Sequence, residues 1–104
     1  MVKPAIAKAI ALSLPGAGEK AHFNRIAFTV KKKIFATLSV DDDTLNLMFT
    51  PEVQFIFCPP ASDIIFPVPN AWGRQGWTTI NLQKATKNLV TEALKEAHRI
   101  RAEK

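Results

Sequence analysis

The stretch AWGRQGWTT, residues 71–79, gathers the residue types best suited to holding a ligand. It carries both tryptophans of the chain, two of its four glycines and Arg74. Indole rings stack on planar groups, and a guanidinium forks onto carboxylates or phosphates. Gly73 and Gly76 allow a tight bend with Arg74 at its apex, ahead of a strand that opens at Trp77. On that strand Trp77, Thr79 and Asn81 share one face, and Ile80 and Leu82 take the other. Trp72 lies before the bend and packs across it. Two uses follow from these residue types. Trp72, Trp77, Thr79 and Asn81 can form a ligand-binding sheet face. Alternatively the indoles pin the loop and cover the sheet, leaving Arg74 as the single contact to a ligand.

A second chemistry-bearing group is Lys31-Lys32-Lys33. At the tip of a hairpin, three ammonium groups project from a ribbon that can reach a phosphate backbone. The plain alternative is a lysine-rich turn that keeps the sheet soluble and discourages edge pairing. Lys20 and Arg25 extend the cationic set. The chain has 14 Lys and Arg against 9 Asp and Glu, a formal charge of +5, and its pI is about 9.7. Such a balance suits an anionic partner, DNA being the natural one. Contacts from these side chains would be weak, salt-sensitive and independent of base sequence. Neither terminal helix has the position of a recognition helix.

Other chemistries fail on spacing. Gly16-Ala17-Gly18-Glu19-Lys20 lacks four residues between its glycines, and Ala21 stands where a phosphate loop has Ser or Thr. It reads instead as the turn that ends a helix. His22, Cys58 and Asp63 share no local signature of a nucleophilic site. Cys58 beside Phe57 and Pro59 reads as a small buried thiol, His22 as a structural hydrogen-bonding group, and His98 as a solvated residue of the last helix. Asp41-Asp42-Asp43 lacks the glycine and distal glutamate of a calcium loop and reads as a turn. One cysteine and two distant histidines do not make a zinc site. The expectation is a protein without catalytic residues, metal or cofactor.

The elements that must position these side chains follow from patterning. Residues 1–104 read as one domain. KPAIAKAIALSL is helical, with Pro4 in its first turn and Ile6, Ala9, Ile10 and Ser13 at helical spacing. Ile26, Phe28 and Val30, then Ile34, Ala36 and Leu38, alternate around the lysines as a hairpin. Leu45, Leu47 and Phe49 give a third strand. Thr50-Pro51-Glu52 starts a short helix over about 51–57; the alternative is another strand, since Phe55, Ile56 and Phe57 have high β-propensity. DIIFPV is an edge strand, because Pro67 cannot donate to a ladder, and GWTTINL is a further strand. A helix runs from about Ala85 to Ala102, with Ala85, Leu89, Ala93, Ala97 and Ile100 on one stripe and Glu92, Lys95, Glu96 and Arg99 pairing outside it. The fold class is α+β, two-layer, an antiparallel sheet with the N- and C-terminal helices on one face. Ile26, Phe28, Val30, Ile34, Leu38, Leu45, Leu47 and Phe49 should meet the helices. Ala27, Thr29, Thr37, Ser39 and Asn46 are left for solvent or a partner. The longest apolar run is too short and too interrupted by Lys8 to span a bilayer, and no signal peptide is evident, so a soluble cytoplasmic protein is expected. Composition does not fix an oligomeric state.

The segments HFNRIAFTVKKKIFATLS (22–39), FPVPNAWGRQGWTTINL (66–82) and LVTEALKEAHRI (89–100) resemble the MmcQ/YjbR family. The resemblance runs from about Leu14 onward. Its most specific pieces are Phe28, Lys33-Ile34-Phe35-Ala36 and Gly76-Trp77-Thr78-Thr79. It implies an α+β fold of the double-wing DNA-binding type, found in small bacterial proteins, and brings no catalytic residues. Family members vary around residues 50–63, where this chain is short. The leading expectation is a small DNA-binding protein using Lys31, Lys32, Lys33, Arg74, Lys20 and Arg25. The alternative is a small-molecule or protein-interaction module using Trp72, Trp77, Thr79 and Asn81.

Overall fold

The computed structural model describes residues 1–103. Pro4 occupies the first position of α1 (Pro4–Ser13), where a missing N–H leaves nothing unpaired. This helix corrects the predicted stripe. Ile6 and Ala9 are exposed, and Ala7 and Ala11 are buried. Alanines four residues apart let α1 lie close against the C-terminal helix, so the small side chains face inward and the larger Ile6 does not. Gly16, at φ 71°, turns the chain into the sheet.

The first strand, β1 (Gly18–His22), is an element the patterning does not predict. It has no apolar alternation because it is an edge strand whose three central residues are exposed. It pairs along its whole length with β2 (Arg25–Val30), from Gly18↔Thr29 to His22↔Arg25. Next come β3 (Lys33–Ser39), β4 (Thr44–Met48), α2 (Pro51–Phe57), β5 (Ile65–Pro67), α3 (Ala71–Arg74), β6 (Trp77–Asn81) and α4 (Lys87–Ala102). All strand pairs are antiparallel, in the order β1-β2-β3-β4-β6-β5. Pro67 lies on the edge strand, as its missing donor requires.

A β-bulge corrects the predicted facing of β3. Phe28 pairs with Ala36, yet Thr29 pairs with Ile34, so Phe35 is the extra residue. The bulge lets both Phe35 and Ala36 be fully buried. Phe35 lies 6.5 Å from Phe28, ring centre to ring centre. Ile34, expected against the helices, stands instead opposite Thr29 and is half-buried. The remaining core follows the alternation: Phe28, Leu38, Leu45, Leu47, Phe49, Ile80 and Leu82 are buried with Val90, Ala93, Leu94, Ala97 and Ile100 of α4. Ala85 is buried too, but it precedes α4, which begins at Lys87. The Leu89 N–H donates to the Thr86 hydroxyl at 3.1 Å and closes that terminus. Lys95 pairs with Glu92 and Arg99 with Glu96, as the i, i+3 spacing predicts.

Helix α2 is capped by Thr50, whose hydroxyl accepts the Val53 N–H at 3.2 Å. None of its residues is fully buried. The sheet face turned away from α1 and α4 is not wholly open. Ala27 and Ser39, predicted to be left for solvent or a partner, are covered, and Thr37 is nearly so.

Candidate functional site: a basic sheet end and an indole-lined groove

The chemistry-rich stretch 71–79 forms the connection of the β5–β6 hairpin, which pairs Ile65↔Ile80 and Pro67↔Thr78. The predicted tight bend with Arg74 at its apex is replaced by one turn of helix, α3, with Arg74 as its last residue. Asn70 sets its start, its Oδ1 accepting the Trp72 N–H at 2.8 Å. The two glycines serve close contact. A Cβ on Gly73 would fall 1.8 Å from the Val68 carbonyl oxygen, and one on Gly76 1.9 Å from that of Phe49. Gly76 also sits at φ 115°. The Gln54 amide, reaching over from α2, donates to the Gly73 and Trp77 carbonyls at 2.9 and 3.0 Å and to the Thr78 hydroxyl at 3.2 Å. Helix α2 thus holds α3 and the start of β6 in place.

Residues 68–72 and the sheet bound a groove of about 300 Å³ on the face away from α1 and α4, lined by His22, Arg25, Thr37, Asn46, Val68, Asn70, Trp72 and Trp77. Trp77 and Thr79 do share a face with Asn46, as the alternation predicts, because Thr79 pairs with Asn46 across the ladder and its hydroxyl donates to the Asn46 Oδ1 at 2.7 Å. Asn81, expected beside them, does not line the groove; its Oδ1 accepts the Gln83 N–H at 3.1 Å. Arg25, assigned by the sequence to the phosphate-contacting set, belongs to this groove. Its Nε donates to Thr37 Oγ1 at 2.9 Å, and its Nη2 to the carbonyls of Thr37 and Thr44 at 3.1 and 3.4 Å. Burial lowers the guanidinium's pKa from its ordinary value, with the Asp42 charge acting in the opposite direction. Asn70 and Val68 were not legible as site residues. The signal for Asn70 is its cap position before a turn that carries Trp72.

The lysines form the β2–β3 turn as expected, with Lys31 and Lys32 at φ 52° and 66°. The register Val30↔Lys33, read with Met48↔Trp77, puts this turn and α3 at the same end of the sheet. Strand β4 lies between the nearest strands of the two connections, β3 and β6, and the connections themselves are about three strand spacings, ~14 Å, apart across the sheet. Lys31 Nζ donates to the Ala102 carbonyl at 2.6 Å, and Arg101 Nε donates to the Ile34 carbonyl at 2.8 Å, so the C-terminus of α4 joins this end. Asp41, Asp42 and Asp43 occupy the β3–β4 turn at the opposite end. Asp63 lies at that end too, since the Asn81 and Leu82 N–H groups donate to the carbonyls of Ile64 and Asp43. Glu52, Glu103, Glu96 and Glu19 are carboxylates toward the basic end; Glu103 and Glu96 are paired with Arg99, and Glu19, opposite Phe28 on the edge strand, is paired with Lys8. The six predicted cations therefore divide. Lys31, Lys32, Lys33 and Arg74 share one end. Lys20 stands on the edge strand opposite Ala27. Arg25 lies five residues back along β2 from Val30, roughly 16 Å away.

Cys58 is half-buried at the C-cap of α2, not fully buried as expected, and burial pushes its thiol up. His22 lines the groove, so the two are not assembled into one site. His98 is not a solvated residue: a ring nitrogen meets the Pro15 carbonyl at 2.7 Å and the ring stands edge-on to Phe35 at 5.4 Å. Among the described residues no group of three His, Cys, Asp or Glu side chains is placed to hold a metal ion. No helix among them is long and apolar enough to cross a membrane.

The YjbR family model matches residues 12–100. The chain belongs to the YjbR family. YjbR is not known as an enzyme family. Among solved structures, the crystal structure of Deinococcus radiodurans protein DR2400, with domain DUF419, is 20% identical and superposes with a TM-score of 0.75 over 89% of this chain and 73% of that one. At that identity the likeness is one of fold, and it bears out the α+β architecture. No curated protein matches the sequence. In this YjbR chain, the basic end and the groove are separate features of one sheet.

Proposed function

We propose that the protein binds duplex DNA through the basic end of its sheet. The observation that carries the proposal is charge segregation: the cations of two separate turns, Lys31–Lys33 and Arg74, share one end, and Asp41, Asp42, Asp43 and Asp63 lie at the other. The aspartate end carries cations of its own, Lys84 on Asp63 and Arg25 near Asp42, so the unpaired cations at the basic end are what attract a phosphate backbone. Lys32, Lys33 and Arg74 are exposed and lack a salt-bridge partner among the described residues.

The turn itself supports the same reading. A two-residue hairpin loop with both central residues at positive φ favours Asn-Gly, and lysines there store backbone strain of roughly 1 kcal/mol each. Strain of this kind points to a use for the side chains. Contacts are to phosphates rather than bases, because α4 lays its apolar face on the sheet and the helices at the basic end, α2 and α3, are only seven and four residues long. Binding is therefore weak and indifferent to sequence.

Fluorescence anisotropy with a labelled duplex at low salt tests this. The Lys32→Ala/Lys33→Ala/Arg74→Ala variant should lose most of the wild-type affinity, and an Asp41→Asn/Asp43→Asn variant should bind at least as well as wild type. Equal affinity of the triple variant and wild type would remove the proposal. Lys31 is left out of the set because its contact to Ala102 also anchors α4.

A further inference from the structure

The groove on the far sheet face contains groups that binding at the basic end does not use. Apart from His22, whose ring can donate or accept, the polar side chains lining the groove present mainly donors. Three of the guanidinium N–H groups of Arg25 are spent on Thr37 and Thr44, which fixes the plane of the group, and its Nη1 has no hydrogen-bond partner among the described residues. The Asn46 Oδ1 is taken by the Thr79 hydroxyl, which leaves the NH₂ end of that amide for a ligand. The Asn70 Oδ1 is taken by a backbone N–H, and a backbone N–H can only donate, so its NH₂ end is likewise left over. No carboxylate lines the groove. Asp42 attracts Arg25 but lies outside that lining.

The apolar part is as particular. Trp72 is 59% exposed although it is among the largest side chains in the chain. With Trp77, half-buried at the start of β6, it lines the groove that also holds Arg25 and the two asparagines. A volume of about 300 Å³ is at the small end for ligand sites and suits one ring system with one charged substituent. Competing features of the surface offer less. The depression between α2 and α4 is lined by Lys95 and Arg99, but both are already paired with glutamates. The exposed Phe55 and Ile56 of α2 form an apolar patch with nothing to specify what covers it.

From the fixed guanidinium, the two donor amides and the indoles, we infer that this groove binds a small planar aromatic anion, its ring against Trp72 and Trp77 and its carboxylate or phosphate on Arg25. The inference does not rest on DNA binding, because none of Lys31, Lys32, Lys33 and Arg74 lines the groove.

The two indole N–H signals in a proton–nitrogen correlation spectrum report on the site directly, since the chain has only two tryptophans. Titrations with indole-3-acetate and with adenosine monophosphate separate an aryl carboxylate from a nucleotide as the source of the shared chemistry. Saturable shifts of both indole signals with either probe support the inference and name the source. Trp72→Ala should weaken binding about tenfold by removing one stacking ring, and its high exposure keeps the fold out of question. Arg25→Gln should abolish the preference for the anionic probe over indole-3-methanol. The Lys32→Ala/Lys33→Ala/Arg74→Ala variant should bind the probe as wild type does. Three results would each overturn the inference: no saturable shift with either probe at millimolar concentration, equal binding of indole-3-methanol and indole-3-acetate by the wild-type protein, or unchanged affinity in Trp72→Ala.

Discussion

At the scale of single residues, backbone geometry decides the most. Gly76 has a positive φ and no room for a Cβ beside Phe49. Gly76→Ala should destabilise the protein by at least about 2 kcal/mol, measured by urea unfolding. Gly18→Ala is the control, since a Cβ there meets only the Thr29 hydroxyl at 3.5 Å, and its change should stay within about 1 kcal/mol. Lys32 lies at φ 66°. Lys32→Gly should therefore raise stability by roughly 1 kcal/mol while weakening DNA binding, so the two measurements move in opposite directions. The Cys58 thiol is raised by burial, so the folded state holds its proton more firmly than the unfolded chain does. Its contribution to stability is complete below the ordinary thiol pKa of about 8.5 and is lost as pH rises above it. Iodoacetamide should accordingly modify Cys58 more slowly in the native protein than in urea at the same alkaline pH. These residue types were legible in the sequence, but their surroundings were not: Gly73 and Gly76 read as the makings of a tight bend and prove to be points where two backbone segments touch.

At the scale of elements, the parts that announce themselves locally were the legible ones. Thr50-Pro51-Glu52 marks the start of α2, and the Ile, Leu and Phe alternation marks β2, β4 and β6. The strand β1 was not legible, because an edge strand whose three central residues are exposed carries no apolar alternation. The bulge in β3 was hidden for a different reason. Whether Phe35 faces the helices depends on how two strands register, and alternation within one strand cannot report that. Phe35 now fills the space between Phe28 and His98. Phe35→Ala should cost about 3–5 kcal/mol, read from the midpoint of chemical unfolding. Thr86→Ala removes only the cap of α4 and should cost about 1 kcal/mol. A Phe35→Ala cost no larger than that of the cap would mean that the bulge does not seat the ring in the core.

At the scale of the whole molecule, the arrangement of charge matters more than its sum. A net charge of +5 is legible from composition, but the separation of Lys31–Lys33 and Arg74 from the aspartates comes only from strand order and register. The same register moved Arg25 out of the basic set and into the groove, whose lining is drawn from β1 to β4, β6 and the 68–72 segment. The salt dependence of DNA binding tests the polarised surface most directly. With three or four phosphates neutralised at the basic end, log K should fall linearly against log salt with a slope of about −3 to −4, and each removed cation among Lys32, Lys33 and Arg74 should reduce that slope by about one. A slope near zero, or one unchanged in the triple variant, would contradict the account.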